Sequence, residues 1–234
     1  MVNDRRADEL RPIAIRRGYT EMTPGSVLIE VGRTRVLCTA SFDTDVPGWM
    51  RDAGKGWLTA EYSMLPGSSP QRVSRGSISG GRTKEIQRLI GRSLRSVVDL
   101  SQMGETTLRI DCDVLQADGG TRTASITGAW VAVKDAVAAG LASGLLQQDP
   151  VTDHCAAVSV GVVDGGVVLD LEYEQDANAE VDMNVVMTGA GGIVEVQGTA
   201  EGRTFSRGQL TEMLDLAAGG IERLIDAQRA ALEA

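Results

Sequence analysis

Ala117-Asp118-Gly119-Gly120-Thr121-Arg122-Thr123-Ala124-Ser125-Ile126 is the stretch on which the reading of this chain turns. It follows a segment of strict alternation, in which Leu108, Ile110, Cys112 and Val114 face one way and Thr107, Arg109, Asp111 and Asp113 the other, the pattern of a half-buried strand. It leads into a small-residue helix expected over 124–145. Two glycines without a Cβ let the backbone approach a ligand closely. The first N–H groups of a helix lack internal partners and carry the positive end of its dipole, so that end favours an anion. Arg122 adds a forked cation matched to phosphate oxygens. The pattern is a candidate phosphate cradle, and on spacing alone it is equally the pattern of a tight turn with a helix cap.

The strands expected before it span 27–31, 34–42 and 57–63, the first two joined at Gly32-Arg33 as a tight hairpin. Residues 8–13 read as an extended entry and 67–81 as an exposed Ser/Gly/Arg loop. The clearest helix spans 83–98, with Ile86, Leu89, Ile90, Leu94, Val97 and Val98 forming the apolar stripe. Arg88, Arg92 and Arg95 recur on its other side, where such a run usually means a solvated face. Arg82 differs, because it precedes the helix start, where an anion would sit. After the cradle helix a second set of strands is expected over 156–163, 167–172, 181–188 and 193–197. Ser206 and Gln209 then have the spacing of a capping box opening a terminal helix. Strands then helix, twice over, give an α+β chain of mixed sheets with packed helices, one domain over 1–234 with halves of roughly 1–148 and 149–234.

The chain of 234 residues is long enough for a sizeable core, is 42% hydrophobic, and has no apolar run long enough to span a bilayer. Its charged start lacks the apolar segment of a signal peptide. The three cysteines, Cys38, Cys112 and Cys155, each lie in an apolar run, which points to reduced thiols in a cytoplasmic setting and to neither a disulfide frame nor a zinc site. A net charge of −9 argues against a polyanion partner, yet seven basic residues (Arg72, Arg75, Arg82, Lys84, Arg88, Arg92, Arg95) stand against the single acid Glu85 in one short stretch. A local field of that kind can still hold nucleic acid.

Chemistry has few carriers. The single histidine, His154, has no triad around it and reads as structural. Inorganic phosphate, already anionic, would serve as its own nucleophile. Five carboxylates between Glu172 and Asp182 repel one another unless cations offset them. Asp176, expected on a loop, and Asp182, at the start of an apolar strand, suit Mg²⁺, which binds through one or two acids and keeps water and phosphate oxygens as its other ligands. An acidic surface loop is the alternative on this pattern.

Several long blocks in fixed order make the chain resemble the ribonuclease PH family: Asp8-Glu9-Leu10-Arg11-Pro12-Ile13, the segment 54–66, Gly81-Arg82-Thr83-Lys84-Glu85-Ile86-Gln87-Arg88, the segment 111–123, Ala179-Glu180-Val181-Asp182-Met183-Asn184-Val185 and Val196-Gln197-Gly198-Thr199. The resemblance implies a ribonuclease PH-type fold (ribosomal protein S5 domain 2-like) with two βαβ-like halves, and a homo-hexamer built as a trimer of dimers. It implies a phosphate-dependent 3′→5′ exoribonuclease that trims tRNA precursors and other RNAs and releases nucleoside 5′-diphosphates. By the same resemblance Arg82, Gly120, Thr121 and Arg122 bind phosphate. Asp176 and Asp182 hold Mg²⁺ or Mn²⁺, and Asp176 is also a candidate proton donor to the leaving oxygen. Arg72 and Arg75, with Arg88 and Arg92, are the expected RNA contacts. Two departures stand out. Asp4-Arg5-Arg6 replaces the usual Asp-Gly-Arg, with little effect expected on chemistry. Gly67 replaces a usual arginine and the stretch from Arg75 to Arg82 is short, so a weaker grip on folded tRNA is expected. Rival readings are a catalytically silent RNA-binding ring subunit of an exosome-like assembly, which has no need of both arginines and both acids, and a small-molecule kinase of related fold, for which no Gly-x-x-x-x-Gly-Lys-Ser/Thr element is present.

Overall fold

The computed structural model describes residues 5–76, 80–201 and 204–234. Five strands form the first sheet: β1 (Ile13–Arg17), β2 (Gly25–Val31), β3 (Thr34–Asp43), β4 (Trp57–Met64) and β5 (Thr107–Gln116), in the order β1-β2-β3-β5-β4. All neighbours are antiparallel except β4 and β5, which run parallel. A parallel pair needs a long crossover, and helix α1 (Gly81–Arg95) supplies it. The inward face of β5 is as expected, with Leu108, Ile110, Cys112 and Val114 each at most 1% exposed and Arg109 and Asp111 facing solvent, but Thr107, expected outward, is buried and donates its hydroxyl to the Asp45 carbonyl.

The second sheet, β7-β6-β8-β9, is built from β6 (Cys155–Val163), β7 (Gly166–Leu169), β8 (Val181–Thr188) and β9 (Ile193–Ala200), all pairs antiparallel. Helix α2 (Thr121–Ala142) packs on β2 and β3 on one side and on β6 on the other. This explains its sequence: a helix covered on both sides needs small apolar residues all round rather than a stripe. Helix α4 (Arg207–Glu233) closes the second sheet with Met213, Ala217, Ile221, Leu224 and Ile225. Its start carries the expected reciprocal cap between Ser206 and Gln209. His154 stacks on Trp130 at 4.2 Å, with Nδ1 3.2 Å from the buried Gln228 amide, a structural placement. The three cysteines are free and buried.

Five expectations shift. Helix α1 begins two residues earlier than expected and ends at Arg95; Val97 and Val98 are buried by the chain leaving the helix, where Val98 bridges Val151. Helix α2 begins at Thr121, with Gly120 as its cap, so Thr121 and Arg122 lie in its first turn. The strand expected over 167–172 stops at Leu169, because Asp170 adopts a left-handed backbone (φ +54°). A short helix, α3 (Tyr173–Asn178), then carries Asp176 where a loop was expected, capped reciprocally by Glu172 and Gln175. Strand β1 was not expected: the extended entry over 8–13 meets it only at Ile13.

Candidate active site

The cradle glycines are used differently from the simplest reading. Gly119 has φ +77°, and a Cβ there would stand 2.6 Å from the Leu171 carbonyl oxygen. Its bareness lets the first half of the chain dock on the second. Gly120 (φ +64°) is packed likewise, with the Arg11 Nη2 2.9 Å from where a Cβ would be. What the turn offers outward is the first turn of α2, with Thr121 and Arg122. The Thr121 hydroxyl lies 2.9 Å from the hydroxyl of the buried Tyr62. Arg122 Nη1 donates to Gln197 Oε1 at 2.6 Å and lies 3.4 Å from Glu85 Oε1, which also accepts from Gln197 Nε2 at 3.3 Å. β9 thus reaches across to hold the arginine.

Arg82 sits exposed in the first turn of α1. The structure brings it together with Arg122, Asp176 and Asp182: the charges of both arginines act on both carboxyls and on the Tyr62 phenol. The Asp176 and Asp182 carboxyls act on each other as well. Loss of hydration pushes both carboxyls up, that of Asp182 to about 6. For Asp182 the charge of Asp176 is the next cause upward, while Arg122 and Arg82 pull down and Glu201 adds a smaller upward push. Carboxylate oxygens placed in this way suit a hard divalent cation. Among the described residues no group of three or more His, Cys, Asp or Glu side chains could hold a metal. A cation held by Asp176 and Asp182 would therefore draw its other ligands from water and a phosphate-bearing partner.

Beside the arginines lies a cleft of about 230 Å³ between α1 and β9, lined among others by Lys84, Glu85, Arg88, Arg92, Glu195 and Gln197. Arg88 is exposed in it, whereas Arg92 is ion-paired with Glu195. Arg95 departs from the solvated face expected of it: it lies 4.8 Å from the Trp57 ring centroid and donates to the Leu58 carbonyl at 2.9 Å. Arg72 and Arg75 are exposed on the loop before α1 and are not among the residues lining the cleft. The base of that loop is tied to the cradle, since Ala117 N donates to Ser68 O at 2.8 Å. Residues 77–79 of the shortened Arg75–Arg82 stretch lie outside the described residues.

Tyr62, Glu85, Gln197 and Glu201 were not singled out for the site by sequence. Tyr62 and Gln197 stand inside family-like blocks, and Glu85 is the one acid in the basic stretch, so a signal existed for these three. No helix among the described residues is long and apolar enough to cross a membrane.

Sheet order and helix placement define a mixed α+β fold of two sheets with packed helices. The family is then plain: residues 9–139 match domain 1 and residues 153–220 match domain 2 of the 3′ exoribonuclease family, and the chain belongs to that family, the ribonuclease PH family. Three solved structures share the fold. One, described as the Archaeoglobus fulgidus exosome with RNA bound to the active site, is 21% identical with a TM-score of 0.83, the match covering 96% of this chain and 91% of that one. Rice (Oryza sativa) Rrp46 is 19% identical with a TM-score of 0.79 and 98% coverage of both chains. An archaeal exosome core is 20% identical with a TM-score of 0.79, covering 96% of this chain and 89% of that one.

Proposed function

We propose that this protein is a phosphate-dependent 3′→5′ exoribonuclease of the cytoplasm, a tRNA nucleotidyltransferase that trims tRNA precursors and other RNAs, rRNA included. The observation carrying this reading is the meeting of Arg82 and Arg122, each in the first turn of a helix, with the Asp176–Asp182 pair. Phosphate held by the two arginines and the Gly120-Thr121-Arg122 turn faces the last phosphodiester of the RNA. A phosphate oxygen bonds to that phosphorus and the P–O3′ bond breaks. The products are a nucleoside 5′-diphosphate and an RNA one nucleotide shorter, whose 3′-oxygen gains a proton. A divalent cation, Mg²⁺ or Mn²⁺, would be held by Asp176 and Asp182 and would offset charge building on the phosphodiester. The protein's own part is positioning and electrostatic stabilisation. Asp176, whose carboxyl is pushed upward, can supply the proton when it is not a metal ligand. Arg88 and Arg92 in the cleft, with Arg72 and Arg75 on the loop, track the RNA backbone. The working assembly is a homo-hexameric ring, a trimer of dimers.

A second reading has support of its own, because the fold neighbours are exosome chains: a silent RNA-binding ring subunit. One assay separates them. A 3′-tailed RNA with Mg²⁺ should shorten stepwise only when phosphate is added. RNA bound but not shortened in either condition would favour the silent subunit, and shortening to monophosphates without phosphate would refute the cradle.

A further inference from the structure

The two sides of this site come from different halves of the chain, and one buried charge network joins them. Asp170 is 2% exposed and holds a φ of +54°, a left-handed conformation uncommon outside glycine. One of its carboxylate oxygens accepts from the Arg11 backbone N–H at 2.8 Å and from Arg11 Nε at 3.0 Å; the other accepts from Arg11 Nη2 at 2.7 Å. The remaining nitrogen, Arg11 Nη1, donates to the carbonyl of Asp118 at 2.6 Å, immediately before the cradle glycines. Arg5 approaches from the other side. Its Nη2 donates to the Asp170 carbonyl at 2.8 Å and to Gln175 Oε1 at 3.1 Å, and its Nη1 lies 3.4 Å from the Asp170 carboxylate. Gln175 is the capping residue of α3, and Asp176 is the next residue along. The side chains of Arg5, Arg11 and Asp170 are 7%, 4% and 4% exposed.

Such a network is poorly explained by stability alone, because buried ion pairs roughly cancel their own desolvation. Fork geometry, in contrast, fixes orientation, and a left-handed residue persists only where its surroundings over-determine it. We propose that Asp170, gripped by Arg11 and Arg5, is a positioning residue that sets the phosphate cradle against the Asp176–Asp182 pair. The inference rests on the phosphorolytic reading of the site. Its two arms serve different ligands: Arg11 holds the Asp118–Gly120 turn and so the phosphate, and Arg5 holds α3 and so the cation. This also gives Arg5, at the point where the chain departs from the family's usual start, a role beyond the little effect expected of it.

The test is calorimetric titration of the full chain with inorganic phosphate and, separately, with Mn²⁺, alongside thermal melts. Arg5→Gln should weaken Mn²⁺ binding about ten-fold, as loss of outer support for a metal site does, and leave phosphate affinity within about two-fold of wild type. Arg5→Lys should restore part of the loss. Arg11→Lys should show the reverse split; should it fail to fold, Arg5→Gln carries the test alone. Unchanged affinities with a lowered melting temperature, or equal weakening of both ions in both variants, would overturn the positioning role. A wild type that binds neither ion would instead overturn the reading of the site, and this inference with it.

Discussion

The two halves of the chain make unlike contributions to one site. The first supplies cations and helix starts: Arg82 on α1, Thr121 and Arg122 on α2, with Tyr62 behind them. The second supplies carboxyls and an amide: Asp176 on α3, Asp182 on β8 and Gln197 on β9. Each alone is electrostatically one-sided, a set of cations on the first half and, on the second, a pair of acids whose carboxyls are pushed upward by loss of hydration. The difference teaches that the seam between them, where Gly119 meets Leu171 and Arg11 meets Asp170, is what brings the cations and the carboxyls together.

The sharpest way to break this division of labour is to strip one side. Arg122→Ala and Arg82→Ala should each lower phosphorolysis by about 10²–10³-fold, the scale for losing one preorganised charge contact in a transition state. The loss should appear chiefly at subsaturating phosphate, measured as kcat/KM against phosphate concentration, with Mn²⁺ binding kept.

Stripping the other side should do the opposite to stability and function. The Asp182 carboxyl lies at about 6 against an ordinary 3.8, so its ionised form is the one the folded protein disfavours. Stability tied to it is full below 3.8 and is lost as pH rises through about 6. Asp182→Asn should therefore raise the metal-free melting temperature near neutral pH, by about 2–4 °C for a gain on the order of 1 kcal/mol discounted for partial exposure, and leave it unchanged near pH 4. The same variant should lose Mn²⁺ binding and phosphorolysis. Because a cation must displace the proton, wild-type affinity for Mn²⁺ should fall below about pH 6, by at most ten-fold per pH unit for each proton displaced; titration across that range measures it.

A smaller effect tests the support behind the cradle. Tyr62→Phe removes the hydroxyl beside Thr121 and should cost about 0.5–1.5 kcal/mol in stability. The KM for phosphate should rise a few-fold, read by denaturant melts and phosphate titrations.

Much of the first half was legible because its signals are local. Gly119 to Arg122 compress a turn, a cap and a cation into one window, and Arg82 stands out by preceding an apolar stripe. Asp176 and Asp182 were visible as acids too dense to be left uncompensated. What could not be read is what pairs across the chain: Arg11 and Asp170 are 159 positions apart, and Asp170 looked like the polar end of a strand. Helix α3 is six residues long, too short for any periodicity, although Glu172 and Gln175 have the spacing of a reciprocal cap. Arg95 was misread because its partners, Trp57 and the Leu58 carbonyl, lie on a strand whose direction relative to α1 no local pattern reveals.

The smallest expected effect concerns the basic loop. With Gly67 in place of an arginine, the salt dependence of tRNA binding should be shallower than in a relative with the full loop, by about one unit of log–log slope per missing phosphate contact. An equal or steeper slope would remove the loop from the account.

The claim that both halves act on one phosphodiester is tested most directly with radiolabelled orthophosphate and a 3′-tailed RNA in the presence of Mg²⁺. The account predicts nucleoside diphosphates carrying the label in the β-phosphate, one per nucleotide removed, lost together in Arg122→Ala and in Asp182→Asn. Unlabelled monophosphates, or labelled diphosphates that persist at the wild-type rate in either variant, would contradict it.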